Sequence, residues 1–349
     1  MRTEIFNRTT SRGIATFVTL TNDSGASVTL CSIGAAIHAI RVPDKDGNLA
    51  DVVIGYSDAE SYFGDGPCAG KVPGRFANRI ARGSLTIGGK HYQLAINNGP
   101  NALHGGPEGF QNQIWDTNVL AGNKVQFTYH SADGEENYPG ALTATATYTW
   151  TDDNTLSLDL EADTDAETVV NLTNHAYFNL SGESAGSCLD QVLRLYASKW
   201  LPTDETLIPT GEIAPVAGTP MDFTTAHTLG RDIKADFPAL HYGKGYDNCW
   251  VIDGYAPGKE QTVAVLEDPA SGRKMEVISD QPAVQVYTGN YLGGSPEGKS
   301  GRPYNDYDAV AIECQDMPDA PNQPAFPSTA LLPGQHYHRV IRFKFSVEK

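Results

Sequence analysis

Two side chains able to move protons, His175 and Glu313, sit in segments whose alternation would present them away from a core. His175 lies in Asn171-Leu-Thr-Asn-His-Ala-Tyr-Phe-Asn-Leu180. In a strand, successive side chains point to opposite faces. Asn171, Thr173, His175 and Tyr177 would then share one face, and Val170, Leu172, Ala176 and Phe178 would sit mostly on the other. Half-buried strands commonly have a polar face, but seldom one built from His, Tyr, Asn and Thr together. Such a stripe suits a ligand covered in hydroxyl groups. Glu313 lies in Asp308-Ala-Val-Ala-Ile-Glu-Cys-Gln-Asp316. Val310, Ile312 and Cys314 would point one way, and Ala309, Ala311 and Glu313 the other. Most glutamates are simply solvated. A solvated strand face, however, normally carries bulkier polar residues than two alanines, so the small neighbours leave room for a ligand beside the carboxylate.

Other segments repeat this logic. In Ala283-Val-Gln-Val-Tyr-Thr-Gly289, Gln285 and Tyr287 share a face opposite Val284 and Val286. Gly74-Arg-Phe-Ala-Asn-Arg-Ile80 sets Arg75, Asn78 and Arg79 among small and apolar residues. An arginine offers a rigid fork of donors to oxygen ligands, although a structural salt bridge explains it equally well. His104 sits in the glycine-rich Asn97–Gly106 loop, where a lone histidine is usually a surface residue. Asp247 opens a run into Cys249-Trp-Val-Ile252 and on its own reads as a turn residue. Gly293-Gly-Ser-Pro-Glu-Gly-Lys-Ser300 fits the phosphate-loop pattern letter for letter. That motif needs a helix straight after it. The next six residues, Gly301-Arg-Pro-Tyr-Asn-Asp306, cannot propagate one, so the match reads as chance on a surface loop.

The elements that must hold these groups read as strands. Short alternating runs dominate: 15–20, 27–30, 125–129, 142–148 and 156–160, separated by turn signals such as Asp46-Gly, Gly88-Gly and Asp133-Gly. Only 58–63 and 228–236 suggest short helices. Gly 35 and Pro 21 favour many turns, and 349 residues with 40% hydrophobic content suffice for a large core. No repeat or polar linker divides the chain. The expectation is one all-β domain over residues 1–349, a large antiparallel β sandwich with few short helices and a cleft on one curved face.

Lys+Arg 25 against Asp+Glu 42 gives a net charge of −17. This argues against nucleic acid and mildly against an acidic ligand. Five scattered cysteines form no Cys-x-x-Cys pair, which speaks against a disulfide framework or a zinc site. No run reaches membrane-spanning length. The chain is expected to be cytoplasmic, without membrane association, and monomeric by default.

Taken in order, these segments resemble the galactose mutarotases (aldose 1-epimerases). The matching pieces are 74–80, Asn101-Ala-Leu-His-Gly-Gly106, Asn174-His-Ala-Tyr-Phe-Asn-Leu180, Tyr246-Asp247, Gln281-Pro-Ala-Val-Gln-Val-Tyr-Thr-Gly-Asn290 and Glu313-Cys-Gln-Asp-Met-Pro-Asp319, extended by 322–327 and 332–335. The resemblance implies the wide mutarotase-type sandwich and a free monosaccharide as substrate. It also implies Glu313 as general base, His175 as general acid, and His104, Asn78, Arg79, Asp247, Tyr177 and Gln285 as sugar-binding positions, with Arg75 and Asn174 in support. No metal or other cofactor is implied.

The implied reaction requires an ionised Glu313 and a protonated His175, which a neighbouring carboxylate would help keep charged. Two other readings stay open. A hexose-6-phosphate epimerase would want an extra cluster of Arg or Lys near the cleft, and none is evident. A non-catalytic sugar-binding module on the same sandwich would need hydroxyl ligands but no acid–base couple.

Overall fold

The computed structural model describes residues 1–348. Every ladder between its strands is antiparallel. A nine-stranded sheet runs from Asp116–Ala121 at one edge to His227–Thr228 at the other. A six-stranded sheet places Val310–Gln315 between Tyr177–Phe178 and Ala283–Tyr287, with Asp247–Val251 next. A five-stranded sheet is built from the first 51 residues, with Arg2–Thr10 on its edge.

The alternating runs form strands as expected: Gly13–Thr21, Ser27–Cys31, Lys124–Ser131, Leu142–Trp150 and Thr155–Thr164. Gly88-Gly89 makes a two-residue hairpin loop between Ile87 and Lys90. Both glycines have positive φ (57° and 78°), the conformation such a tight turn demands.

The helix expectations fare unequally. Asp58 caps a 3₁₀ turn over Ala59–Tyr62. Residues 228–236 form no helix: Thr228 pairs with Val192, and the N–H groups of Leu229 and Gly230 go to Gln191 O and Leu189 O. Strand pairing holds the backbone extended at 227–228, and the bonds to Leu189 and Gln191 carry the chain along that neighbour instead of into a helical turn. The α-helix instead begins just beyond, at Pro238–Gly243, where proline suits the first turn.

The main core lies between the sheets. Val284, Val286, Val310, Ile312 and Cys314 of the six-stranded sheet face inward against Leu156, Leu158, Leu160 and Phe343 of the nine-stranded one. Each large aliphatic side chain buried there contributes roughly 1.5–3 kcal/mol. Period-two alternation then sends Gln285, Tyr287, Ala311 and Glu313 to the opposite face. The core thereby fixes where the proposed chemistry faces.

Candidate active site

On that opposite face lies a cavity of about 520 Å³. His175, Glu313, Asn78, Arg79, His104, Tyr177 and Asp247 all line it. Seven of the eight residues singled out from the sequence therefore converge on one hollow. Gln285 stands behind the wall: its Nε2 donates to Asp247 Oδ1 at 2.7 Å.

Glu313 is centred in the six-stranded sheet, paired directly with Gln285. His175 arrives differently. The sequence suggests a strand over 171–180, but only Tyr177–Phe178 pair as one. The preceding residues run beside Val310–Gln315 and are held to it by side chains. Thr173 Oγ1 donates to Cys314 O at 2.6 Å and Asn171 Nδ2 to Asp316 O at 3.4 Å. On their other flank the backbone binds residues 70–77, with His175 N donating to Lys71 O at 2.8 Å and Ala77 N to Asn171 O at 2.8 Å. Polar side chains thus replace ladder bonds, which explains the density of Asn and Thr there.

This support brings His175 Nε2 to 3.4 Å from Glu313 Oε1. Both groups are nearly closed to solvent, at 5% and 2% exposure. Burial pushes the His175 pKa down to about 4, against the opposing pull of its own backbone and of Asp247 and Asp65. Burial also drives Glu313 well above the usual carboxylate range, reinforced by Asp247 and opposed by Arg79. Desolvation therefore works against the expected imidazolium–carboxylate pair. The neighbouring carboxylates act in the expected direction, but desolvation outweighs them. Burial disfavours the charged form of each group, which leans the pair toward a neutral imidazole beside a protonated carboxyl.

His104 completes the wall, its ring 5.2 Å from that of His175. The backbone N–H of Asn78 meets His104 Nδ1 at 3.1 Å. A backbone N–H can only donate, so Nδ1 accepts and the ring proton resides on Nε2. Burial, followed by the charges of His175 and Arg79, holds His104 well below its ordinary pKa. It is a neutral hydrogen-bond donor. Asn78 (φ 66°) and His104 (φ 53°) both occupy the left-handed region, which costs about 1–3 kcal/mol at a residue other than glycine. Two left-handed residues bonded directly to each other on the cavity wall mark a site where geometry outweighs local strain.

Arg79 is aimed from both sides. Its Nε donates to Asn98 Oδ1 at 3.0 Å and its Nη2 to Asp247 Oδ2 at 3.3 Å. Asp247 thus ties Arg79 to Gln285. Tyr177 lines the cavity with its ring, because its hydroxyl donates to Pro67 O at 2.8 Å. Arg75 does not reach the cavity. Its guanidinium donates to Pro139 O, Gly140 O, Thr168 Oγ1 and Ser131 Oγ in the interior, the supporting role expected of it. Asn174 likewise donates to Gly70 O and Tyr148 Oη.

Sequence reasoning missed Asn98, Thr206, Tyr242 and Tyr291, which also line the cavity. Asn98 lies within the Asn97–Gly106 loop, but its partnership with Arg79 has no local signature. Thr206 and Tyr291 come from turns whose composition resembles any exposed loop, and Tyr242 from the short helix Pro238–Gly243. Among the described residues no cluster of His, Cys, Asp or Glu is arranged to hold a metal ion.

Comparison with known proteins points one way. A sequence model of the family described as aldose 1-epimerase matches residues 16–344. Galactose mutarotase of Homo sapiens is 44% identical over 320 residues, covering 92% of this chain and 91% of that protein. Aldose 1-epimerase of Escherichia coli K12 is 36% identical over 333 residues, 95% of each. Among solved structures, the GalM/aldose epimerase homologue from C. elegans superposes with a TM-score of 0.88 at 31% identity, covering 96% of this chain and all of that one. Galactose 1-epimerase from Lactobacillus acidophilus NCFM gives a TM-score of 0.87 at 27% identity, covering all of both chains.

Proposed function

The chain belongs to the aldose 1-epimerase family, and on that premise we propose that it interconverts the α and β anomers of free aldohexoses such as galactose and glucose, with Glu313 as general base and His175 as general acid. It is an isomerase, and the reading takes residues 1–349 as one domain. The observation that carries it is the closeness of His175 Nε2 and Glu313 Oε1, 3.4 Å apart in a buried hollow.

Both oxygens that change protonation during anomer exchange, the C1 hydroxyl and the ring oxygen, are bonded to one carbon. An acid and a base side by side can serve both. Glu313 takes the proton of the C1 hydroxyl while His175 gives one to the ring oxygen. The C1–O5 bond breaks and its electron pair stays on the ring oxygen, while C1 becomes the aldehyde carbon. Rotation about C1–C2 presents the other carbonyl face, and the reverse transfers close the other anomer. The proton count of the pair is unchanged overall. Starting from the uncharged pair that burial favours, the working form arises when a proton passes from Glu313 to His175. Arg79, whose charge favours the Glu313 carboxylate, and a donating sugar hydroxyl both favour that shift. Well-placed general acid or base catalysis contributes roughly 10²–10⁴-fold each.

His104 Nε2–H, Arg79 and Asp247 would hold the remaining sugar oxygens while the chain is open. A phosphorylated hexose fits less well. Arg79 is already tied to Asp247, and Glu205 and Asp247 give the cavity acidic walls. The five cysteines are all buried and unbridged, which supports the proposed cytoplasmic, reducing location.

Polarimetry on freshly dissolved α-galactose, α-glucose and α-glucose-6-phosphate tests the reading. Accelerated mutarotation of a free hexose, exceeding that of the phosphate ester, is the expected result. Saturable galactose binding with no acceleration would leave only a binding module.

A further inference from the structure

The five-stranded sheet has an open edge away from the cavity. Its edge strand, Arg2–Thr10, is exposed at nearly every position, and it pairs on one side only, with Gly13–Thr21. Ile5 is 58% and Phe6 37% exposed, on opposite faces of the strand, and Ile14, opposite Thr9, is 60% exposed. An unpaired edge with apolar side chains is a template for another strand.

The hairpin loop determines which backbone groups are free. A two-residue loop, Ser11-Arg12, joins the two strands, so the flanking Thr10–Gly13 pair is the hydrogen-bonded kind. Alternation then commits Arg8, Phe6, Glu4 and Arg2 to the second strand. Thr9, Asn7, Ile5 and Thr3 aim their N–H and C=O groups at the open edge.

We propose that this edge pairs with the same edge of a second copy of the chain, antiparallel about a two-fold axis through Phe6, forming a continuous ten-stranded sheet (5 + 5 strands). In that register Ile5 faces the partner's Asn7 and Thr3 faces the partner's Thr9. All four residues with free backbone groups therefore meet their counterparts. Glu4 faces the partner's Arg8, and Arg8 faces the partner's Glu4. The strand is thus complementary to itself in charge as well as hydrogen bonding. Centring on Ile5 would set Arg2 against the partner's Arg8, and centring on Asn7 would set Arg8 against the partner's Phe6. Only the Phe6 register pairs opposite charges. In a monomer Glu4 has only a long exposed contact to Arg2 (3.7 Å), and Arg8 lies over the Phe6 ring at 5.0 Å, so both charges can turn to a partner. One strand pair is a small interface, and the association is correspondingly weak, in the micromolar range. The dimer replaces the monomer expected from sequence. None of its residues lines the cavity.

Sedimentation velocity on the full chain, up to roughly 100 µM, tests this. The wild type is expected to dimerise with concentration. Ile5→Pro removes only an outward-facing N–H and should abolish the dimer while mutarotation is unchanged. Glu4→Arg and Arg8→Glu should each weaken it about tenfold, from two like-charge pairs. Their double variant should restore it, and mixing the two single variants should give heterodimers. A wild type monomeric throughout, or dimers equally strong in both charge variants, would overturn the proposal.

Discussion

His175 and Glu313 face each other 3.4 Å apart, yet they reach that position by unlike means. Glu313 is locked into a central strand, paired directly with Gln285 on one side, while the same strand pairs with residues 177–178 at Val310 and Ala311 on the other. His175 rides on a segment pinned by its own asparagines and threonine. The base is held by the sheet and the acid by its side-chain scaffold, so the two can be perturbed separately.

Removing either group should cost turnover before it costs the fold. Glu313→Gln and His175→Asn are each expected to lower kcat by about 10²–10⁴-fold. The double variant should be little worse than either single, since the two act as a unit. Polarimetric progress curves read the effect, and circular dichroism checks the fold. Near-normal turnover in one variant would remove that residue from its assigned role.

The pH profile is set by the burial of both groups. Below about 4, His175 gains a second proton for the pair, and no base remains. At high pH, past the raised pKa of Glu313, the pair loses its only proton and no acid remains. A broad bell is expected, its limbs belonging to the coupled pair. Activity that falls through the ordinary histidine range near 6.5 would show a solvated, unperturbed imidazole instead.

Asp247 joins Arg79 to Gln285. Asp247→Asn should release the guanidinium and also remove a negative charge that raises the Glu313 pKa. The expected loss in kcat/KM is roughly 10–100-fold, the worth of one or two charged hydrogen bonds. The alkaline limb should move to lower pH, because Glu313 ionises more easily. An unmoved limb would mean the two carboxylates do not sense each other.

Lys299, the lysine of the apparent phosphate loop, is committed elsewhere. Its Nζ donates to His38 O at 2.6 Å, Asp51 Oδ2 at 2.6 Å and Val53 O at 2.7 Å. Lys299→Met should lower the unfolding free energy by about 2–3 kcal/mol by orphaning those acceptors. ATP should not raise the melting temperature of the wild type. Stabilisation by nucleotide would reopen the phosphate reading.

Much of this was legible in the sequence, because period-two alternation is a one-dimensional signal. Val310, Ile312 and Cys314 had to face a core, so Glu313 had to face away from it. The same reasoning correctly oriented Gln285. It misread 171–176 as strand, since polar side chains there imitate an alternating pattern while bonding a neighbour. It misjudged 228–236 because strand pairing with Val192 and bonds to Leu189 and Gln191 draw that backbone along a distant neighbour, a contact no local window contains. Desolvation of His175 was equally hidden, being a property of the assembled hollow.

The proton on His104 has an unusual guardian. It is the main-chain N–H of Asn78 that confines it to Nε2, and every amino acid except proline carries that same group. Replacing the asparagine side chain would therefore leave the imidazole's tautomer intact so long as the local backbone turn survived. This hollow's neutral donor is inherited through chain path instead of through a codon, and sugar preference can drift around it without disturbing it.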